Sequence, residues 1–126
     1  MGLEISLPRR RDDEIQAICD STKRSIIKTG TYIGNGLDNR NIDIGVDLAA
    51  KSNAFLIIKN MGSSTQNEAI GRTEYGQGDL SFPFESLIAT VNLIQSFTST
   101  GFQIGDQVRV NEADEPYAYI AFWEEP

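Results

Sequence analysis

The sequence predicts an all-β protein, an antiparallel β-sandwich of jelly-roll-like type that follows a short N-terminal arm. Residues 42–46 alternate strictly between apolar and polar side chains, which is typical of a strand with one buried face. Short runs rich in Ile, Val, Thr, Tyr and Phe recur between turn-forming Gly, Asn and Asp residues. A hydrophobic fraction of 40% in 126 residues can form one core, so we expect one body at residues 29–126.

The first half of the body contains the clearer strand patterns. Residues 26–33 are rich in Ile, Thr and Tyr and predict a strand, and the Gly, Asn and Asp residues of 34–40 predict a loop after it. Residues 54–58 are apolar at every position, as in a central strand that lies between two layers. Residues 69–75 form a weaker candidate strand, and Pro83 suits an edge or a loop.

The second half is interpreted from β-branched residues and from one turn signal. Residues 87–97 fit either a strand or a partly helical segment, and we favour a strand because four of them are β-branched. Gly105-Asp106 lies between the alternating runs 102–104 and 108–110, which predicts a hairpin. Residues 117–123 are apolar and aromatic, so we expect them away from an open sheet edge.

Residues 1–28 are interpreted as an arm with an extended and a short helical part. Pro8 and the three following arginines favour an extended lead-in. From Asp12 to Arg24 an apolar stripe and early acidic residues predict a helix of about three turns, which is too short to be stable without a partner surface. The residues expected to contact that partner are Arg9, Arg10, Arg11, Ile15, Ile18, Lys23 and Arg24.

Charge and composition restrict the partner classes. The chain carries a net charge of −7, and residues 29–126 hold five Lys/Arg against thirteen Asp/Glu, a balance of −8. Because nucleic-acid affinity comes mainly from basic side chains that neutralise phosphates, we expect no nucleic-acid binding by the body. Residues 1–5 lack the basic-then-apolar order of a signal peptide, and no apolar run reaches the roughly 18 residues of a membrane span. We therefore expect neither secretion nor a membrane partner.

The sequence contains no catalytic constellation, and we expect neither an enzyme nor a cofactor. The absence of histidine excludes Ser-His-Asp and Cys-His sites, and with the single Cys19 it also excludes the usual zinc sites. A pair of carboxylates could act as a glycosidase acid and base, but thirteen acids in a solvated body give such pairs by chance. Two acidic sets could supply oxygen ligands to calcium, although neither has calcium-loop spacing: Asp38, Asp43 and Asp47, or Asp106, Glu112, Asp114 and Glu115. A solvated acidic rim explains both sets more simply.

Several segments in order resemble a recurring module of tailed-bacteriophage structural proteins. They are 29–45 (TGTYIGNGLDNRNIDIG), the strand ending 58–59 (IK), 101–105 (GFQIG), 110–111 (VN) and 117–122 (YAYIAF). The resemblance implies a β-sandwich used in capsid decoration proteins, tail fibres and baseplate attachments, and it suggests no catalytic residues. This chain departs from the module after Gly45, where Val46-Asp47 replaces a Gly-Phe-x-Pro turn, and at 112–116, where the expected glycine is missing.

From the resemblance and the arm we expect a capsid decoration (cement) protein. The arm would spread over neighbouring subunits of the major capsid protein while the body covers their junction, and the resemblance implies a homotrimer. The expected location is the exterior of the virion capsid, after synthesis in the host cytoplasm. The alternative is a tail-fibre or baseplate domain that binds a receptor or glycan through loop aromatics such as Tyr32, Tyr75 or Trp123.

Overall fold

A computed structural model describes residues 24–125, which form eight β-strands in two antiparallel sheets. The strands are β1 (Arg24–Ile33), β2 (Arg40–Asp43), β3 (Ser52–Asn60), β4 (Ile70–Thr73), β5 (Phe82–Pro83), β6 (Ile94–Phe97), β7 (Gly101–Ile104) and β8 (Pro116–Glu125). A 3-10 turn (Leu48–Ala50) and a short helix, α1 (Val108–Asn111), complete the regular structure of those residues. No helix in 24–125 is long and apolar enough to cross a bilayer. The predicted all-β antiparallel sandwich is confirmed.

The larger sheet has five strands and the smaller has three. The strand order is β1-β8-β3-β4-β5 in the larger sheet and β2-β7-β6 in the smaller one. β8 lies between β1 and β3 and pairs with β1 from Ile33↔Pro116 to Arg24↔Glu125. The prediction that residues 117–123 avoid a sheet edge is therefore confirmed. The first described residue, Arg24, begins an edge strand of the larger sheet.

The core lies between the two sheets and is filled by alternate residues of each strand. The inward side chains include Ile42, Ile44, Ala54, Leu56, Ile58, Ile70, Ile94, Phe102, Ile104, Tyr117, Tyr119 and Ala121. Phe102 of the smaller sheet has its ring 5.6 Å from that of Tyr119 and 6.1 Å from that of Tyr32, both in the larger sheet. Each fully buried aliphatic or aromatic side chain of this kind contributes about 1.5–3 kcal/mol to folding.

The hairpin predicted around Gly105-Asp106 is wrong, because the residues after it form helix α1 rather than a strand. The backbone N–H of Gly105 donates to the Leu93 carbonyl over 2.9 Å, which ties this segment to the preceding loop. Gln107 then caps the helix, since its side chain accepts from the Arg109 N–H. Val110 is fully buried, so its apolar character reflects core packing from a helical turn.

The strand predicted over 87–97 is also wrong for its first half. Only β6 is extended, and Leu87 and Ile88 are 71% and 69% exposed in the loop before it. Leu87 and Asn92 have positive φ angles of 57° and 64°, a conformation incompatible with a continuous strand.

The arm predicted at residues 1–28 overlaps the described structure at its end. Residues 24–28 belong to β1 and pair with the last residues of β8, so the body includes them. The helix predicted from Asp12 to Arg24 lies outside the described residues except for Arg24, which is a strand residue.

Candidate interaction surfaces

The residues expected to contact a partner are mostly beyond the described range. Arg9, Arg10, Arg11, Ile15, Ile18 and Lys23 all lie outside residues 24–125. Arg24 is described and exposed, and it pairs in register with Glu125 at the edge of the larger sheet. Arg24 therefore marks the point on the body at which the described residues begin.

Glu125, the register partner of Arg24, is the centre of a small cluster of side chains. Glu125 Oε1 accepts from Trp123 Nε1 over 2.9 Å and from Lys51 Nζ over 3.0 Å. The Lys51 ammonium also lies 5.7 Å from the centre of the Trp123 ring. The hydrogen bond from Trp123 lowers the pKa of Glu125, and the Lys51 bond and the Arg24 charge act in the same direction. The carboxylate thus ties the end of β8 to Lys51, which lies just before β3.

Two asparagines from distant segments form what we call the Asn35–Asn111 junction. Asn111 is fully buried, and its Oδ1 accepts from the Asn35 backbone N–H over 2.9 Å. Arg40 Nη1 also donates to this Oδ1 over 3.1 Å. The Asn111 Nδ2 donates to Asn35 Oδ1 over 3.2 Å and to the Leu37 carbonyl over 2.8 Å. One side chain therefore organises the loop between β1 and β2.

Two tyrosine hydroxyls attach helix α1 to the larger sheet. Tyr32 donates to the Val110 carbonyl over 2.7 Å, and Tyr117 donates to the Val108 carbonyl over 2.6 Å. The Tyr32 and Tyr117 rings are stacked with centroids 5.2 Å apart. Burial raises the pKa of Tyr32 well above its ordinary value, and the neighbouring Tyr117 raises it further. These hydroxyls are donors in a structural contact at neutral pH.

Glycines of the resembling segments lie where the chain packs too closely for a side chain. A Cβ at Gly34 would overlap the backbone carbonyl of Glu112, and one at Gly30 would overlap the Tyr119 ring. Gly34 is also bonded on both sides, donating to the Glu115 carbonyl over 2.8 Å and accepting from the Asp114 N–H over 3.0 Å. The space beside Gly30 and Gly34 is thus filled by other parts of the same chain.

A buried arginine organises the loop between β4 and β5. Arg72 is 7% exposed, and its Nη1 donates to the carbonyls of Gly78 and Leu80 over 2.8 Å each. Burial lowers the pKa of Arg72, while the charge of Asp79 opposes this. The guanidinium also donates from Nη2 to the Gly76 carbonyl over 3.3 Å, so its role is to hold the turn at residues 76–80.

The described residues contain one larger open groove with polar walls. It has a volume of about 310 Å³ and is lined by Thr65, Gln66, Asn67, Glu68, Glu85 and Arg109. Glu68 Oε1 accepts from Arg109 Nη1 over 2.5 Å, so the carboxylate is already paired. Among residues 24–125, no group of three or more Asp, Glu, Cys or His residues is arranged to hold a metal ion. Of the three aromatics considered for sugar stacking, Tyr75 is 75% exposed, whereas Tyr32 and Trp123 are buried.

The solvent side of the larger sheet is apolar, and we call it the outer apolar face. It consists of Ile27, Phe55, Ile57, Phe82, Phe84, Ile120 and Phe122. The rings of Phe55 and Phe122 are 6.1 Å apart, and those of Phe55 and Phe82 are 6.2 Å apart. Phe84 stacks on Phe82 at 5.5 Å. A Cβ at Gly71 would lie 2.6 Å from the Phe84 ring, so this glycine makes room for the stack.

Sequence reasoning missed this face although its signal was present. Residues 54–58 were expected to be buried on both sides between two layers, but Phe55 and Ile57 are only half-buried and point to the outer face. The apolar run at residues 54–58 therefore reflects one buried side of β3 and one side that is only partly covered.

The chain has no match among the proteins compared with it. A scan of protein-family models, a search of curated proteins and a search of solved structures each found none.

Proposed function

We propose that this chain is a structural protein of a bacteriophage virion, of the capsid decoration (cement) type. The arm before β1 binds an acidic surface at the junction between subunits of the major capsid protein, and the β-sandwich body covers that junction. Copies of the chain associate with one another on the capsid exterior. The protein acts by binding and not by catalysis.

The observation that carries the proposal is the Asn35–Asn111 junction. The segments that resemble the phage module are far apart in sequence, yet 29–45, 110–111 and 117–122 contact one another directly. Asn111 bonds to Asn35 across 76 residues, Tyr32 bonds to Val110 across 78, and the β1 and β8 segments are paired throughout. The resembling residues are therefore those that hold this sandwich together. This supports a shared architecture as the source of the resemblance.

The charge distribution supports the arm as the attachment element. The body carries most of the acidic residues, and the only run of three basic residues in the sequence is Arg9-Arg10-Arg11. Arg24, the first described residue, lies in an edge strand and pairs in register with Glu125. A basic run tethered at a fixed point can reach a neighbouring subunit while the body stays in place.

The test is co-sedimentation with assembled capsids purified from the phage whose genome encodes the chain. Replacing Arg9, Arg10 and Arg11 together with serine is expected to reduce capsid binding at least tenfold, because three charge-assisted contacts are lost. The matched control replaces the same residues with lysine, keeps the charge and should keep most of the binding. Binding of the natural chain should also weaken as salt is raised.

Two results would contradict the proposal. One is undiminished capsid binding by the serine variant, and the other is sedimentation with isolated tails instead of capsids. An arm deletion must end at residue 23, because removing residues 24–28 would also remove half of β1.

A further inference from the structure

The outer apolar face is larger and more continuous than scattered surface hydrophobics. Two adjacent rows of paired residues cross the sheet: Ile27, Phe122 and Phe55 in one, and Thr29, Ile120, Ile57, Gly71 and Phe82 in the next. Ile27 is 61% exposed, Phe84 39% and Ile120 37%. Single exposed apolar side chains are ordinary, but a contiguous patch with this many rings is typical of a contact surface.

The charges on this face lie only at its two ends. Alternation along the strands puts Glu124 of β8 and Lys59 of β3 on the same side as the apolar rows. Glu124 is one row beyond Phe122, whereas Lys59 pairs with Ala118 one row beyond Ile120. The two central rows contain no charged residue. The face is therefore an apolar band with an acid at one end and a base at the other.

Association through a sheet edge is less favourable than association through this face. Lys28 of the edge strand β1 is exposed and points toward the side on which the core lies, an inward-pointing charge that opposes strand addition. The opposite edge, β5, has two residues, and Pro83 lacks a donor. Both edges of the larger sheet are thus protected, while its flat side is not.

We propose that the outer apolar face packs against the same face of a second copy of this chain across a twofold axis. The axis lies in the plane of the contact, perpendicular to the strands and between the two apolar rows. It places Phe122 opposite the Ile120 row of the other copy and brings Glu124 toward Lys59 of that copy. Such a contact is self-complementary because each residue pair occurs twice. This deepens the self-association in the proposed function and rests on it, and it gives that self-association as a twofold pair in place of the homotrimer that the resemblance implies.

The size of the outer apolar face suits contact with a second copy of this chain. Strand spacing and residue rise give a face of roughly 20 Å by 25 Å, or about 500 Å² per partner, and two such faces reach the total of about 1,000 Å² at which specific interfaces begin. Two such sheets would pack about 10 Å apart, as the sheets of a sandwich do.

The first experiment measures the mass of the full chain by sedimentation velocity over a range of concentrations. The natural chain is expected to reach the mass of two chains, and Ile27→Glu should weaken that association at least tenfold. Leu37→Glu is the matched control, since Leu37 is 65% exposed against 61% for Ile27 but lies in the loop after β1. Both variants should keep the unfolding midpoint of the natural chain, and neither touches the basic arm, so capsid binding through the arm is a separate readout.

The second experiment tests the orientation by charge reversal. Glu124→Lys and Lys59→Glu should each weaken the dimer several-fold, and the double variant should regain most of the affinity. The rescue also separates the proposed pairing from the bond that the Lys59 ammonium donates to the Asn67 carbonyl, which stays broken in the double variant. A natural chain that stays monomeric would overturn the proposal and would leave residues 1–23 of the same chain as the occupant of the face. A mass of three chains, or a double variant as weak as the single ones, would also overturn it.

Discussion

Replacing Asn111 with leucine is expected to lower the free energy of unfolding by about 2 to 3 kcal/mol. Leucine has the same branched arrangement of four side-chain heavy atoms as asparagine but bulkier terminal groups, so the change removes hydrogen bonds without leaving a cavity. The Asn111 side chain makes four hydrogen bonds: two with Asn35, one with Leu37 and one with Arg40. Each group that stays buried and loses its partner costs about 1–3 kcal/mol, and groups that reach water cost less. Equilibrium urea unfolding followed by the fluorescence of Trp123, the only tryptophan, measures the difference.

The control for this prediction is Asn41→Leu. Asn41 is exposed on β2, so the same chemical change there should alter the free energy of unfolding by about 0.5 kcal/mol or less. Equal effects at the two positions would show that the Asn35–Asn111 junction does not stabilise the sandwich. That result would also remove the structural explanation of why the resembling segments occur together.

Replacing Gly34 with alanine is expected to destabilise the protein by about 3 kcal/mol, which is the upper end of the range for overpacking. The new methyl group would overlap the Glu112 carbonyl, which is backbone and cannot rotate away. Moving the two segments apart would also stretch the bonds that Gly34 makes with Asp114 and Glu115. Thermal unfolding followed by circular dichroism should show a lower midpoint.

Gly45→Ala separates this steric effect from the conformational one. Gly45 has a φ angle of +73°, but a Cβ there would meet no atom within 4 Å. Alanine at this position should cost only the left-handed backbone strain, roughly 1–2 kcal/mol. A Gly34 variant as stable as the natural chain would mean that Glu112 and Gly34 are not in close contact.

The sequence predicted strands correctly where the pattern of apolar residues indicates which side of the strand is buried. Ile42 and Ile44 alternate with Asp43, and the structure buries both isoleucines as expected. The aromatic run in β8 also predicted its place inside the sheet. In both cases the pattern of side chains follows directly from which side of the strand meets the core.

The wrong predictions concern residues whose backbone conformation depends on contacts with residues far away in the sequence. The Val-Arg-Val pattern at 108–110 resembles a strand, but a cap from Gln107 and hydroxyl bonds from Tyr32 and Tyr117 hold it as a helix. The loop at 87–91 contains β-branched residues whose preference is overridden by a positive φ at Leu87. Local propensity cannot reveal either arrangement.

The candidate interaction surfaces show the same difference between what a local pattern reveals and what only the fold reveals. The run of three arginines can be recognised from sequence alone because it needs no fold to be seen, and its role in attachment stays a prediction. The outer apolar face could not be recognised in this way, because its residues come from four strands whose pairing is set by the fold. Single-sequence patterns predict which side chains are apolar, but not which of the two sides of a sheet remains uncovered.

We propose that this chain is a structural component on the outside of a phage capsid, and cryo-electron microscopy of the intact particle can test this. We expect density for the eight-stranded body over junctions between capsid subunits, with residues 1–23 continuing from Arg24 onto a neighbouring subunit. Density for the body only at the tail, or bodies on the capsid whose first residues touch no subunit, would contradict it.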